Sequence, residues 1–244
     1  MNMSLTNKVI LITGAAGGLG STAALALAKL GAVVILLDKN LPKLEMLYDK
    51  IVAEKGIEPI LYPFDLAGAS ENDYLELAQK IDEKYGQLDG ILHSAVEFNS
   101  FTPLIQHGTK EWGHTLNVNL NAPFLLTRVL LPILQKASNA SIVFTSDSSA
   151  RLVPAYSGAY GVSKIALEGF AHVLAQELNA AGKVRVNTLI PSPINSPFRK
   201  RAYPAENKSK LPLMDSLVPI YEYLFSDNSL GITGQTIDAQ NFKL

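Results

Sequence analysis

The chain has 244 residues, 48% of them hydrophobic and 18% charged, with a formal net charge of -1. That balance argues against nucleic acid as a partner, and the nearest thing to a basic cluster is Arg199, Lys200 and Arg201. The absence of cysteine excludes disulfides, thiolate metal sites and cysteine nucleophiles, and fits a reducing compartment.

Met1 to Lys8 is polar and has no signal-peptide pattern. The longest apolar stretches, such as Phe124 to Leu134, are broken by Thr127, Arg128 and Pro132, so no membrane span is expected. A cytoplasmic protein is the expectation.

Val9 to Thr13 reads as a buried strand followed by glycines. Ser21 to Leu30 is helical and stops at Gly31. Val33 to Leu37 is a second strand, Leu44 to Lys55 a helix, and Pro59 to Phe64 a third strand. Asn72 to Tyr85 is an amphipathic helix closed by Gly86, and Leu88 to His93 is strand four. Lys110 to Leu134 is a long helical region expected to bend near Pro123. Ser141 to Thr145, Val184 to Ile190 and Gln235 to Ala239 are further strands. Ala159 to Ala181 and Leu217 to Phe225 are helices, and Pro197 to Leu213 reads as irregular. Strands apolar on both faces, alternating with helices, predict an α/β fold: a doubly wound parallel sheet with helices on both faces, in one domain over residues 1–244.

The first strand–helix junction carries Thr13-Gly14-Ala15-Ala16-Gly17-Gly18-Leu19-Gly20. Glycines there permit a tight turn and close approach of a pyrophosphate, which the N–H groups opening the helix can bind. Gly14, Ala16, Gly17, Gly18, Leu19 and Gly20 are therefore candidate cofactor residues. Asp38 ends strand two, 18 residues after Gly20. A carboxylate in that place accepts from an adenosine ribose and repels a 2′-phosphate, so NAD is favoured over NADP; Lys39 softens the preference. Asp65, followed by Leu66, ends strand three where it can meet the adenine amino group.

Tyr160 and Lys164 lie four residues apart and share a helix face. An ammonium near a phenol lowers its pKa from the usual value of about 10, which suits proton exchange with an alcohol or carbonyl.

The glycine loop together with Tyr160-x-x-x-Lys164 resembles the short-chain dehydrogenase/reductase family. Phe64-Asp65-Leu66, Asn117-Val118-Asn119-Leu120, Arg185-Val186-Asn187 and Ile232-Thr233-Gly234-Gln235 match its pattern in order. Val143-Phe144-Thr145-Ser146 and Asp238-Ala239-Gln240 resemble the bacterial YciK-like branch of that family. The resemblance implies a three-layer Rossmann fold with a seven-stranded sheet, a homodimer or homotetramer, and hydride transfer between a nicotinamide and a carbon bearing oxygen. It implies that Tyr160 is the general acid/base and that Lys164 lowers its pKa and holds the nicotinamide ribose. It further implies that Asn119 holds a water in a proton relay. It places Ser94, Ala95 and Val96 beside the cofactor, and Pro191, Ser192, Ile194 and Ser196 in the nicotinamide loop.

Three departures from the family stand out. His93-Ser94-Ala95-Val96 replaces Asn-Asn-Ala-Gly, with His93 expected to be a core residue that finds a partner. Ser192 replaces a glycine after Pro191. Counting thirteen residues back from Tyr160, to the usual catalytic serine, reaches Asp147 in Ser146-Asp147-Ser148. A serine donates to a substrate oxygen, whereas an ionised carboxylate only accepts and opposes ionisation of Tyr160. Three readings stay open: a shifted loop in which Ser146 or Ser148 serves, a protonated Asp147, or a weak catalyst. The main expectation is an oxidoreductase acting on a small or medium alcohol or carbonyl, with Phe198, Tyr203 and Tyr156 as candidate pocket walls. The rival is a dinucleotide-binding regulator with little turnover.

Overall fold

The computed structural model describes residues 3–152 and 154–243. Seven strands form one parallel sheet in the order β3-β2-β1-β4-β5-β6-β7. The strands are β1 (Val9–Thr13), β2 (Val33–Asp38), β3 (Ile60–Pro63), β4 (Gly90–His93), β5 (Ala140–Thr145), β6 (Val184–Ile190) and β7 (Thr236–Asp238). The order reverses between β1 and β4, so a crevice opens beyond their carboxyl ends, where such sheets bind ligands.

Both faces are covered, which is why β1, β4 and β5 are buried at every position rather than alternating. One face carries α3 (Glu71–Tyr85), α5 (Ala122–Leu134) and α7 (Gly158–Leu178). The other carries α1 (Gly18–Lys29), α2 (Leu41–Ala53) and α9 (Val218–Phe225).

Several boundaries differ from the expectation for local reasons. The first helix begins at Gly18, inside the glycine loop, with Gly17 as its N-cap. The second begins at Leu41 because the Asn40 side chain accepts from Lys43 N and Pro42 suits the first turn. The long helical region is three pieces: α4 (Thr109–Leu116), a π-helical turn (Asn117–Asn121) and α5. Pro123 has no N–H to donate to the carbonyl four residues back, so the ladder changes register just before it rather than at it. The stretch read as irregular contains a short helix, α8 (Pro197–Ala202), and a further one, α6 (Ser149–Leu152), follows β5.

His93 ends β4 inside the core. Its ring stacks on Phe144 at 4.6 Å and its Nε2 lies 3.0 Å from Thr127 Oγ1. Burial lowers its pKa to about 3. The folded protein therefore resists protonation that the unfolded chain accepts near pH 6.5. Stability from the neutral imidazole is complete above that value and is lost as pH falls toward 3. Between pH 7 and 5 the wild type is expected to lose about 2 kcal/mol more than His93→Gln, read from urea unfolding at each pH. Equal losses in both proteins would exclude His93 as the source.

Candidate active site

The glycine loop is shaped by contact between two strand ends. Thr13 Oγ1 accepts from Ser94 N at 3.1 Å and Ala95 N at 3.2 Å, which pins the end of β4 to β1. Gly14, at φ +64°, lies against that junction, and a Cβ there would sit 2.6 Å from Ala95 Cα. A Cβ on Gly18 would come within 2.8 Å of Pro197 Cδ, so the chain beyond β6 roofs the loop.

Ala16 N donates to Asp38 Oδ2 at 3.1 Å, tying the loop to the end of β2. Asp38 Oδ1 accepts from Asn40 N, and Lys39 beside it is exposed. Asp65 turns its Oδ1 to Ala67 N at 3.1 Å. Asp38, Lys39, Asp65, Leu66 and Ala95 line a cavity of about 160 Å³ that also reaches Gly14 and Gly17.

A second cavity, of about 260 Å³, shares Gly14, Gly17, Ser94 and Val96 with the first. Along it run Gly18, Leu19 and Gly20, then Asp147, Ser148, Tyr160 and Lys164, then Pro191, Ser192, Ile194 and Ser196. The two form one trough from the acids at the ends of β2 and β3 to the tyrosine–lysine pair. A dinucleotide fits this arrangement, because the glycines leave the helix N-terminus bare at its middle.

Tyr160 and Lys164 are both buried on α7. Lys164 Nζ donates to Thr145 O at 2.9 Å and lies 5.8 Å from the centre of the Tyr160 ring. Desolvation lowers its pKa to about 8. The Tyr160 hydroxyl is held well above the ordinary phenol value, first by burial, then by the charge of Asp147 and by a hydrogen bond to it. Burial and Asp147 are the larger influences on this hydroxyl, ahead of any from Lys164.

Ser146 Oγ donates to Glu168 Oε1 at 2.6 Å, so this hydroxyl is turned to α7 and does not serve Tyr160. Asp147 is the group bonded to the tyrosine, and Ser148, half-buried, lines the same cavity.

Asn119 lies in the π-helical turn, and its side chain makes three hydrogen bonds within the protein. Its Oδ1 accepts from Glu97 N at 2.7 Å, and its Nδ2 donates to Glu97 O and Ser163 Oγ. The amide therefore clamps the loop after β4 to α7. Both of its donor bonds are committed within the protein, so Nδ2 is not turned to a relay water.

The substrate end is aromatic. Phe98 packs edge-on against Tyr160 at 5.4 Å, and Phe198 lies 5.5 Å from Tyr160. Phe101 and Tyr203 extend this cluster behind Phe98, and of these four rings only Phe198 lines the cavity, so Tyr203 is not the wall residue expected. Tyr156 is 59% exposed and stands outside this cluster, contrary to expectation. The packing of Phe98 on Tyr160, with Phe101 behind it, was not legible, since both sit in a loop without a motif. Arg199 is held by Glu206 through two bonds of 2.7 Å, and Arg201 stacks at 5.6 Å over Phe98 at the rim.

The loop after β6 is braced from the C-terminus. Ser192, at φ +58°, donates to Asp238 Oδ1, and Gln240 Nε2 donates to Pro193 O at 2.7 Å. Ile194 is buried, and Ser196 caps α8 by accepting from Arg199 N.

Comparison with known proteins agrees with this geometry. The sequence pattern described as short chain dehydrogenase matches residues 8–207. The oxidoreductase YciK of Escherichia coli K12 is 39% identical over 236 residues, covering 97% of this chain and 93% of its own. A short chain dehydrogenase of Shigella flexneri 2a, complexed with NADP, has a TM-score of 0.94 at 38% identity over 98% of this chain and 100% of that one. One of E. coli CFT073, complexed with NADPH, has a TM-score of 0.94 at 39% identity over 98% of this chain and 99% of that one. The chain belongs to the short chain dehydrogenases, a family of nicotinamide-dependent oxidoreductases. Within it the similarity is to YciK-like proteins, and the regulator reading gains no support over the enzymatic one. Among the described residues, no helix is long and apolar enough to cross a membrane.

Proposed function

We propose that this protein, acting as a single dinucleotide-binding domain, moves hydride between a nicotinamide cofactor and an alcohol or carbonyl. The observation that carries the reading is the continuity of one trough from the glycine loop to the buried Tyr160–Lys164 pair. When bound, the nicotinamide supplies or takes the hydride. Lys164, already partly desolvated, holds the nicotinamide ribose. The backbone of Ile194 meets the carboxamide, and the Ser196 hydroxyl, which accepts from Arg199 N, still has its proton to donate to it. Tyr160 gives its proton to the substrate oxygen. A phenol held above its ordinary pKa stays protonated at neutral pH, the state in which it can give a proton to a carbonyl. Phe198 beside Tyr160 favours a moderately apolar substrate.

Of the two nicotinamides we take NAD, on Asp38. Its carboxylate edges the ribose end of the trough and would repel a 2′-phosphate. The NADP and NADPH complexes of related proteins pull the other way, and exposed Lys39 offers a counter-charge. The expected preference is therefore modest, about tenfold, which is about 1.4 kcal/mol. Fluorescence titration of NADH against NADPH measures it; tighter NADPH binding would overturn the role given to Asp38.

We also infer a homodimer or homotetramer, because α5 and α7 expose Phe124, Val162, Ile165 and Val173. A monomer by light scattering at working concentration would refute this.

A further inference from the structure

The positive charges of the cavity are unevenly matched. Among the described residues, Lys164, Arg199 and Arg201 are the cationic side chains that line it. Lys164 gives its ammonium to the Thr145 carbonyl, beside Tyr160. Arg199 is neutralised by Glu206, which takes its Nε and a terminal nitrogen at 2.7 Å each. Arg201 has neither kind of partner. Among the described residues, no carboxylate pairs with it and no acceptor takes its side-chain N–H groups.

What holds Arg201 is a ring. Its guanidinium lies over Phe98, 5.6 Å from the ring centre, and Phe98 is buried edge-on against Tyr160 at 5.4 Å. Phe98 therefore sets Arg201 one ring away from Tyr160, at the exposed rim of the cavity. A guanidinium resting on an aromatic ring keeps its in-plane fork of N–H groups, which matches the two oxygens of a carboxylate. The opposing charge in the cavity is Asp147, bonded to the Tyr160 hydroxyl. A negative group next to the reacting carbonyl meets Asp147, whereas one several bonds away meets Arg201.

We propose that the substrate is an oxo acid whose carboxylate is remote from its carbonyl, held by Arg201 at the rim while the carbonyl meets Tyr160. The proposal rests on hydride transfer in this trough, as proposed above. The apolar stem between the two ends passes Phe198, which lines the cavity beside Tyr160. The carbonyl carbon takes hydride from the reduced nicotinamide, and its π pair moves to oxygen, which takes the Tyr160 proton. The product is a hydroxy acid with its carboxylate unchanged, and the nicotinamide leaves oxidised.

The test uses the full chain with NADH and NADPH. The probes are 6-oxoheptanoate, its methyl ester, and its isomer 2-oxoheptanoate, whose carboxylate adjoins the carbonyl. The 6-oxo acid should have a kcat/KM about tenfold above either of the others, as expected of one charge-assisted hydrogen-bonded pair. Arg201→Gln should abolish the preference for acid over ester. Arg201→Lys, which keeps the charge without the fork, should retain part of it. Binding alone is read by titrating heptanoate and heptanamide into the protein saturated with reduced nicotinamide. Heptanoate should bind the wild type about tenfold tighter than the amide, and Arg201→Gln no tighter.

Arg201 is exposed, so its variants should fold, and urea unfolding checks that. Equal reduction of the 6-oxo acid and its ester overturns this inference and leaves the proposed function standing. So does a 2-oxo isomer that is the better substrate, or an acid preference that survives Arg201→Gln. If nicotinamide binds and no probe is reduced, the heptanoate comparison decides. Tighter binding that depends on Arg201 supports the carboxylate site, and equal binding overturns it. Failure to bind either reduced nicotinamide overturns both this inference and the proposed function.

Discussion

Tyr160→Phe is expected to lower the turnover of carbonyl reduction by about 1,000-fold, within the range spanned by a positioned general acid. The substitution keeps the ring, and with it the edge-on contact to Phe98 and the packing on Phe198. It removes only the proton donor and the hydrogen bond to Asp147. Cofactor affinity should change by less than threefold, because the glycine loop, Lys164 and the loop after β6 are untouched. The pH profile carries a second signature. Burial and Asp147 keep the phenol protonated through the neutral range. Reductive turnover by the wild type should thus show no loss from phenol ionisation between pH 6 and 9, any fall near pH 8 belonging to Lys164, whereas oxidation of an alcohol, which needs the phenolate, should rise with pH. Steady-state kinetics in both directions would decide the matter. A Phe variant that keeps more than a tenth of wild-type reduction would remove Tyr160 from the mechanism.

The parts of this site that depend on backbone geometry were legible in the sequence. A glycine loop between a buried strand and a helix, an acid at the end of the next strand, and Tyr160 four residues before Lys164 follow from periodicity and spacing. The structure places Asp38, Tyr160 and Lys164 along one trough. What stayed hidden depends on side-chain direction. Spacing cannot tell that Ser146 turns to Glu168 while its neighbour turns to Tyr160, because adjacent residues after a strand face opposite ways. Asn119 carries the family's pattern, yet its amide is consumed by Glu97 and Ser163 across more than twenty residues of sequence. Phe98 meets Tyr160 only because the loop after β4 folds back, and that path is set by the Thr13 and Asn119 clamps rather than by local preference.

The sign of the tyrosine's shift is the most instructive of these differences. An opposite charge on the same helix face lowers a phenol's pKa only where it faces the hydroxyl and water is excluded from both. Here Lys164 gives its ammonium to the Thr145 carbonyl, while the carboxylate of Asp147 takes the hydroxyl. An aspartate in the strand-end loop thus changes the surroundings of the hydroxyl without altering the spacing of the pair.

Gly14→Ala is expected to destabilise the protein by about 3 kcal/mol or more and to weaken cofactor binding at least 100-fold. Two costs combine. At φ +64° an alanine is strained by roughly 1–2 kcal/mol. Its Cβ would also sit 2.6 Å from Ala95 Cα and 2.8 Å from Ala95 N, both backbone atoms with no rotamer to change. Relief requires β1 and β4 to part at the point where Thr13 Oγ1 holds Ser94 N and Ala95 N, and overpacking of that kind costs roughly 1–3 kcal/mol. Gly86→Ala separates the terms. Gly86 has φ +71° but nothing within 4 Å of the new Cβ, so it meets only the backbone cost and leaves the cofactor trough intact. Urea unfolding should place Gly86→Ala about 1–2 kcal/mol below wild type with full cofactor affinity, and Gly14→Ala well below that with almost none. If the two variants lose the same stability, contact between the strand ends is not what requires glycine at position 14. If Gly14→Ala binds nicotinamide as wild type does, the loop is not the pyrophosphate cradle.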